Sequence, residues 1–140
     1  NCINTGDISA FSNGGSSHWT SEGTINTHIV YYYNYCDVYA SGIATQGTVT
    51  ECYNTGSISA TLKEGASYGG LYVGGITYSG SATDCYNVGS STGYSISQAS
   101  ASTCYFLEGT GKETSGATQL TNGQMKLKSM YSGFDFDTVC

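Results

Sequence analysis

Residues 52–60 read Cys-Tyr-Asn-Thr-Gly-Ser-Ile-Ser-Ala, and this phrase decides the predicted fold. It returns as Cys-Ile-Asn-Thr-Gly-Asp-Ile-Ser-Ala at residues 2–10 and, in shorter form, as Cys-Tyr-Asn-Val-Gly-Ser at residues 85–90. Only its first two residues, Cys-Tyr, return at residues 104–105. A phrase that recurs in this way within 140 residues indicates an architecture of stacked repeats.

The repeat extends backwards from its cysteine. Residues 47–52 and 80–85 share a Gly, a hydroxyl residue, a small apolar residue and an acid immediately before Cys. Residues 23–28 fit the same frame, with His where the others have Cys. We therefore predict five anchor positions with a structural packing role, at Cys2, His28, Cys52, Cys85 and Cys104.

Each unit contains three short strand candidates, and Asn-x-Gly between the second and third reads as a turn, because Asn and Gly tolerate positive φ. Three strands and three turns per unit predict an all-β fold, a right-handed parallel β-helix of about five irregular coils. Equivalent residues would then lie in inward ladders, with strands about 4.8 Å apart. The predicted ladders are Ile25, Val49 and Ala82; Cys52, Cys85 and Cys104; and Ile8 and Ile58.

Two stretches depart from the repeat. Residues 29–35 are rich in β-branched and aromatic side chains and predict a longer strand. Near the C-terminus, a capping-box pattern predicts a short helix at about residues 122–130, and alternation predicts a strand at 134–139. We therefore interpret residues 1–117 as β-solenoid repeats and residues 118–140 as a C-terminal helix-plus-strand cap of the same domain.

The composition excludes several classes of function. The net charge is −6, with no Arg and only 4 Lys, so we expect no nucleic-acid partner. No apolar run approaches the length of a membrane span, so we expect no membrane insertion. The combination of 20 Gly, 13 Tyr, many Ser, Thr and Asn and few charges suggests a bacterial cell-surface or extracellular location. Because the chain opens inside a copy of the repeat, we expect it to be a mature or excised piece of something longer.

The six cysteines divide into two groups. Those in the repeat frame are predicted to be reduced and buried, since stacked residues point the same way, which suits disulfide geometry poorly. Cys36 and Cys140 lie outside the frame and are the candidate disulfide members. We predict no metal and no cofactor, because no Cys-x-x-Cys pair and no histidine at ligand spacing is present.

No constellation of residues indicates catalysis. The two histidines are interpreted as a surface residue, His18, and the anchor His28. Tyrosine is unusually frequent, and exposed tyrosines make good contact surfaces for proteins and sugars. The candidate binding surface consists of three tyrosines that each follow an anchor cysteine, Tyr53, Tyr86 and Tyr105. Glu51 and Asp84 share a repeat position and could stack, but we interpret the acids as solvated.

These motifs resemble the Gly-rich GLUG-type repeats of bacterial surface and secreted proteins. The phrase at residues 52–58 and Val-Gly-Gly-Ile at residues 73–76 carry the resemblance. Residues 120–126 and 133–139 look like the segment that often closes such arrays, although Cys140 stands where similar segments usually have Trp. The resemblance implies a β-helix-like adhesive or stalk role.

The sequence therefore predicts a non-enzymatic structural or adhesive module of an extracellular bacterial surface protein, with a host protein or glycan as partner. One alternative is a filament subunit that polymerises with itself head-to-tail through open strand edges. A second alternative is a polysaccharide-binding or -cleaving β-helix protein, which the scarcity of basic residues disfavours.

Overall fold

The computed structural model describes residues 2–12, 17–24, 27–34, 37–63, 69–134 and 136, and only the backbone of 17–24 and 27–34. Within these ranges the chain is all-β, with short strands joined by turns. The strands are β1 Cys2–Asn4, β2 Ile8–Ser12, β3 Ser17–Thr24, β4 Thr27–Asn34, β5 Val38–Ser41, β6 Val49–Thr50, β7 Cys52–Asn54, β8 Ile58–Leu62, β9 Leu71–Gly74, β10 Ser81–Thr83, β11 Tyr86–Asn87, β12 Ser100–Ser102, β13 Cys104–Leu107 and β14 Ala117–Leu120.

The recurring phrase builds the largest sheet. Its strands are parallel and follow the order β1-β7-β11-β13-β14. Copies of the phrase pair residue on residue, so that Cys2 lies opposite Cys52 and Tyr53 lies opposite Tyr86. The sequence repeat is thus a repeat in space, as predicted.

Three smaller parallel sheets also pair equivalent residues of different copies of the repeat. The order β6-β10-β12 places Val49 opposite Ala82, and β2 pairs with β8 with Ile8 opposite Ile58. The third pair, β5 and β9, was not predicted as a ladder, and it places Tyr39 opposite Tyr72. The predicted ladders are confirmed for their described members, whereas Ile25 lies outside the described residues.

The segment around His28 differs from its prediction. Strands β3 and β4 form an antiparallel hairpin in which His28 lies opposite Gly23. Because β1 pairs directly with β7, the ladder has no position for His28 between Cys2 and Cys52. The predicted strand at residues 29–35 is present as β4, but its partner is the preceding strand of the same hairpin rather than another copy of the repeat.

The corners of the repeat also differ from their prediction. No positive φ is found at Asn54, Gly56 or Asn87, although the Asn-x-Gly turn was attributed to that conformation. The left-handed conformation instead occurs one residue before the anchor cysteines, at Glu51, Asp84 and Thr103. The bend therefore precedes the cysteine, and the asparagine has another role.

The core consists of side chains from the ladders. One cluster consists of apolar residues and three cysteines, namely Val49, Ile76, Ala82, Ile96, Phe106, Cys52, Cys85 and Cys104. A second cluster contains Val38, Ala40, Ile58, Ala60 and Val73. Both clusters draw on several copies of the repeat, so burial depends on stacking.

The C-terminal segment folds back onto the largest sheet. In place of the predicted helix there are two 3₁₀ turns, Gln124–Lys126 and Lys128–Met130. The capping box is nevertheless formed, with reciprocal bonds between Thr121 and Gln124. Tyr131 and Phe134 pack against Tyr105 of β13. Of the predicted strand at 134–139 the structure describes only Phe134 and Phe136, and neither belongs to a strand.

Candidate functional site

A row of asparagine carboxamides runs through the interior of the stack. Asn54 and Asn87 have no exposed surface. Asn4 Nδ2 donates to Asn54 Oδ1 at 2.7 Å, and Asn54 Nδ2 donates to Asn87 Oδ1 at 2.8 Å. The row ends where Asn87 Nδ2 donates to the Ser95 carbonyl at 2.8 Å, because the next residue in register is Phe106.

Each buried carboxamide also binds its own corner. Asn54 Nδ2 donates to the carbonyl of Gly56 at 2.8 Å, and Asn54 Oδ1 accepts from the Gly56 N–H at 3.2 Å. Asn87 and Gly89 repeat this pair of bonds at 2.9 and 3.1 Å. A carboxamide has two donor hydrogens and two acceptor lone pairs, so both side chains are fully satisfied. Asn-x-Gly is thus a buried amide clamp, which the sequence interpretation missed.

The anchor cysteines form a second row. Cys52, Cys85 and Cys104 are buried, Cys2 at the edge is exposed, and all four are free thiols. The buried sulfurs lie within 3.0 to 3.2 Å of the carbonyl oxygen two residues earlier, at Thr50, Thr83 and Ser102. The prediction of reduced, buried cysteines is confirmed for Cys52, Cys85 and Cys104, whereas Cys2 is free but exposed, so its predicted burial is wrong. Cys36 and Cys140, the predicted disulfide members, lie outside the described residues.

Burial and a hydrogen bond between neighbouring thiols shift the pKa values in this row, and the bond from Cys85 lowers the pKa of Cys104. It raises the pKa of Cys52 above its ordinary value, since a thiolate would be desolvated there. A hydrogen bond to Cys104, followed by burial, raises the pKa of Cys85. Thiols with raised pKa values remain protonated at neutral pH and are poor nucleophiles.

The predicted tyrosine surface is only partly open. Tyr53 and Tyr86 are half-buried and stack with ring centroids 4.8 Å apart. Tyr105 continues the ladder, but the C-terminal segment buries it to 5% exposure, and its hydroxyl donates to the Ser132 carbonyl at 2.7 Å. Phe134 meets the edge of Tyr86 at 5.9 Å. This ladder mainly holds the C-terminal segment in place.

A different group of tyrosines forms a surface that we call the tyrosine patch, in which Tyr39 is exposed and Tyr72, Tyr78 and Tyr94 are half-buried. Tyr39, which is 47% exposed, stacks on Tyr72 with centroids 4.7 Å apart. Tyr78 meets Tyr72 edge-on at 5.2 Å. Burial raises the pKa of Tyr78, and the neighbouring phenol of Tyr94 adds to the effect. Lys112 Nζ lies 5.7 Å from the centre of the Tyr94 ring.

The sequence contained a signal for this patch that the interpretation did not use. Tyr39 and Tyr72 occur in Val-Tyr-Ala-Ser-Gly-Ile and Leu-Tyr-Val-Gly-Gly-Ile, which are equivalent stretches of two repeat copies. Extending the aligned copies further back from Cys52 and Cys85 would have placed the two rings in register.

The described part of the chain contains no group of three or more His, Cys, Asp or Glu side chains that could hold a metal ion. Within the described ranges, no helix has the length and apolar character needed to cross a bilayer. Comparison with protein-family models, with curated proteins and with solved structures finds no match to this chain.

Proposed function

We propose that this chain is a non-catalytic structural and adhesive module of an extracellular bacterial surface protein. The residue-by-residue pairing of successive copies of one phrase carries the proposal, as in Cys2 with Cys52 and Tyr53 with Tyr86. Pairing of this kind builds a scaffold whose length is set by the number of copies.

The proposed architecture is a right-handed parallel β-helix. Parallel sheets in one common register, joined by corners at equivalent positions, support it. The amide row also supports it, because the bonds from Asn4 to Asn54 and from Asn54 to Asn87 join successive copies of the phrase. Right-handed crossover between parallel strands is the strong preference of L-amino acid chains.

The polar and reactive groups of the repeat support a structural role. The carboxamides of Asn54 and Asn87 form their hydrogen bonds with other groups of the paired repeat copies. The thiols of Cys52 and Cys85 are buried and have raised pKa values. These groups therefore hold neighbouring copies together and do not present themselves to a substrate.

The tyrosine patch is the proposed adhesive surface, and its proposed ligand is an uncharged glycan. Tyrosine offers an apolar ring and a polar hydroxyl, which suit the C–H faces and the hydroxyl groups of a sugar. Charged residues make up only 10% of the chain, which favours an uncharged partner. The composition and the resemblance to GLUG-type surface repeats support the extracellular location.

A glycan array tests the proposal. We expect the chain to bind at least one class of neutral glycan, and we expect Tyr39→Ala and Tyr78→Ala each to weaken that binding by about tenfold or more, as loss of a stacking ring does. The matched control is Tyr53→Ala, which removes a half-buried tyrosine outside the patch. Equal losses in all three variants, or binding to a protein ligand but to no glycan, would contradict the proposed ligand class.

A further inference from the structure

The outer face of β5 and β9 carries two phenol rings in contact with each other. Tyr39 and Tyr72 lie opposite each other in the parallel register of the two strands. Their ring centroids are 4.7 Å apart, and the ring planes meet at only 19°. The residues that follow them, Ala40 and Val73, are buried in the core on the other face of the sheet. The strand register therefore holds two tyrosines from different copies of the repeat face to face.

A glycine sets the position of the Tyr72 ring. A Cβ on Gly70 would lie 2.2 Å from Cζ of Tyr72 and 2.3 Å from its hydroxyl oxygen. The ring thus lies in space that a side chain on residue 70 would fill. The Gly70 N–H donates to the Asp37 carboxylate at 2.8 Å, and the Gly70 carbonyl accepts from the Val38 N–H at 2.9 Å. The backbone that holds Tyr72 is thus bonded to the residues immediately before Tyr39.

The stacked arrangement suits one reaction of phenols, which is oxidative coupling. In a tyrosyl radical the unpaired electron is shared between the oxygen and the ring carbons beside it, Cε1 and Cε2. Two rings stacked in parallel register present these carbons to each other, which is the proximity that a bond-forming step needs. An edge-on pair brings the edge of only one ring towards its neighbour, as for Tyr72 and Tyr78 with ring planes at 60°.

We propose that Tyr39 and Tyr72 are a site of covalent cross-linking, at which a peroxidase with hydrogen peroxide joins the two rings as dityrosine. Each phenol loses one electron to the oxidant and its hydroxyl proton to water. The two radicals form one bond between their Cε carbons. The hydrogen on each of these carbons then moves to the oxygen of its own ring, which restores both phenols. Hydrogen peroxide takes up the two electrons and two protons and becomes two water molecules.

The product joins two copies of the repeat by a bond that needs no ligand, so it goes beyond the proposed adhesive function. The new bond connects β5 to β9 through side chains, whereas hydrogen bonds alone connect their backbones. A cross-link between residues far apart in the chain restricts the unfolded state and thereby stabilises the folded one. We therefore expect the cross-linked chain to unfold at a higher urea concentration than the untreated chain.

The other stacked pair of tyrosines is a poorer site for this reaction. Tyr53 and Tyr86 have centroids 4.8 Å apart, but both are half-buried. Phe134 of the C-terminal segment also meets the edge of Tyr86 at 5.9 Å. The rings must move closer than van der Waals contact to form a bond, and close packing opposes such a movement. Tyr39 is 47% exposed, so its ring has more freedom to move.

Treatment of the full chain with peroxidase and limiting hydrogen peroxide tests the inference. We expect dityrosine fluorescence, a chain whose mass is lower by two hydrogen atoms, and a digest in which the peptides of Tyr39 and Tyr72 are joined. The yield should not depend on protein concentration, because both rings belong to one chain. Absence of coupling, a main product that joins two chains, or a main product between Tyr53 and Tyr86 would overturn the inference.

Two phenylalanine variants form a matched pair. Tyr39→Phe removes one hydroxyl group from the proposed site and should abolish the cross-link within the chain. Tyr53→Phe removes one hydroxyl group from the other stacked pair and should leave the yield unchanged. Urea unfolding before oxidation verifies that both variants are folded. A cross-link of undiminished yield in Tyr39→Phe would contradict the assignment.

The variant Gly70→Ala tests the geometry with both phenols in place. Its methyl group takes the space of the Tyr72 ring, and the end of that side chain can swing aside, so the fold should be kept. We expect the yield of the cross-link to fall several-fold, and a yield equal to that of the parent chain would contradict the role of stacking. Glycan binding is measured on the untreated chain. Its failure would therefore concern the proposed adhesive function alone, and failure of coupling would concern the cross-link alone.

Discussion

The side-chain amide of Asn54 donates to that of Asn87 across 2.8 Å, in an interior where neither residue has any exposed surface. Each of the two carboxamides makes four hydrogen bonds, to its own corner glycine and to neighbouring copies of the repeat. A buried polar group that is fully satisfied fixes a unique arrangement, since any shift in register leaves it unpaired. These amides therefore set the register of the sheet.

Removing a buried amide should be costly. We expect Asn54→Ala to lower the free energy of unfolding by about 3 kcal/mol, because it leaves the Gly56 N–H without its acceptor and removes one hydrogen bond from each of the carboxamides of Asn4 and Asn87. The matched control, Asn4→Ala at the half-buried edge, should lose only about 1 kcal/mol. Urea unfolding followed by circular dichroism measures both. Equal losses would show that burial in the row does not determine the effect.

The glycines of the phrase offer a matched pair at equivalent positions. Gly89→Ala should destabilise the chain by about 3 kcal/mol, since its Cβ would overlap the Gly56 carbonyl. Gly6→Ala should be neutral or stabilising by up to about 1 kcal/mol, because alanine restricts the unfolded chain and meets no neighbour. Thermal unfolding of the two variants checks the difference. A Gly89→Ala variant as stable as the parent would argue against the close contact between copies.

The row of thiols should show graded reactivity. With iodoacetamide at pH 8 in the folded state, we expect Cys2 to be alkylated and Cys52, Cys85 and Cys104 to be protected, because they are buried and Cys52 and Cys85 have raised pKa values. Peptide mapping by mass spectrometry identifies the modified residues. In urea all four should react, which provides the control. Modification of Cys85 at the rate of Cys2 in the folded chain would contradict the buried row.

The residues before the anchor cysteines adopt a backbone conformation that side chains disfavour. Glu51 has φ 53° and Asp84 has φ 52°. Because glycine adopts this region without steric cost, we expect Glu51→Gly to raise the free energy of unfolding by up to about 1 kcal/mol. Thr50→Gly, one residue earlier in the extended β6, should lower it by about 1 kcal/mol. Chemical denaturation of both variants tests this, and a loss of stability in Glu51→Gly would show that its side chain contributes more than its conformation costs.

The ladders were predictable because aligning the copies of the repeat shows which residues occupy equivalent positions. Once residues 52–60 are aligned with residues 2–10, the pairing of Cys2 with Cys52 and of Ile8 with Ile58 follows from parallel stacking. The hairpin was not predictable in the same way. The composition of residues 29–35 identifies a strand, but pairing partners depend on contacts outside the strand itself.

The role of asparagine was missed for a related reason. Asn and Gly are common in turns through backbone conformation, and that local argument sufficed to explain the motif. Only the structure shows Asn54 inside the stack, with its side chain bonded to Asn4 and Asn87. The burial of Tyr105 was missed because the C-terminal segment, whose position the repeat does not encode, covers it.

The hairpin of β3 and β4 has a consequence for how such a chain can change its length. Asn4 and Asn54 are 50 residues apart in the chain, and Asn54 and Asn87 are 33 apart. The hydrogen bonds between their side-chain amides nevertheless have nearly the same length, 2.7 and 2.8 Å. A longer connection between two strands does not alter the distance between the paired strands. Its entropic cost also grows only slowly with its length. The corner between β2 and β5 is therefore a natural insertion site, where grafted peptides could be displayed without rebuilding the stack.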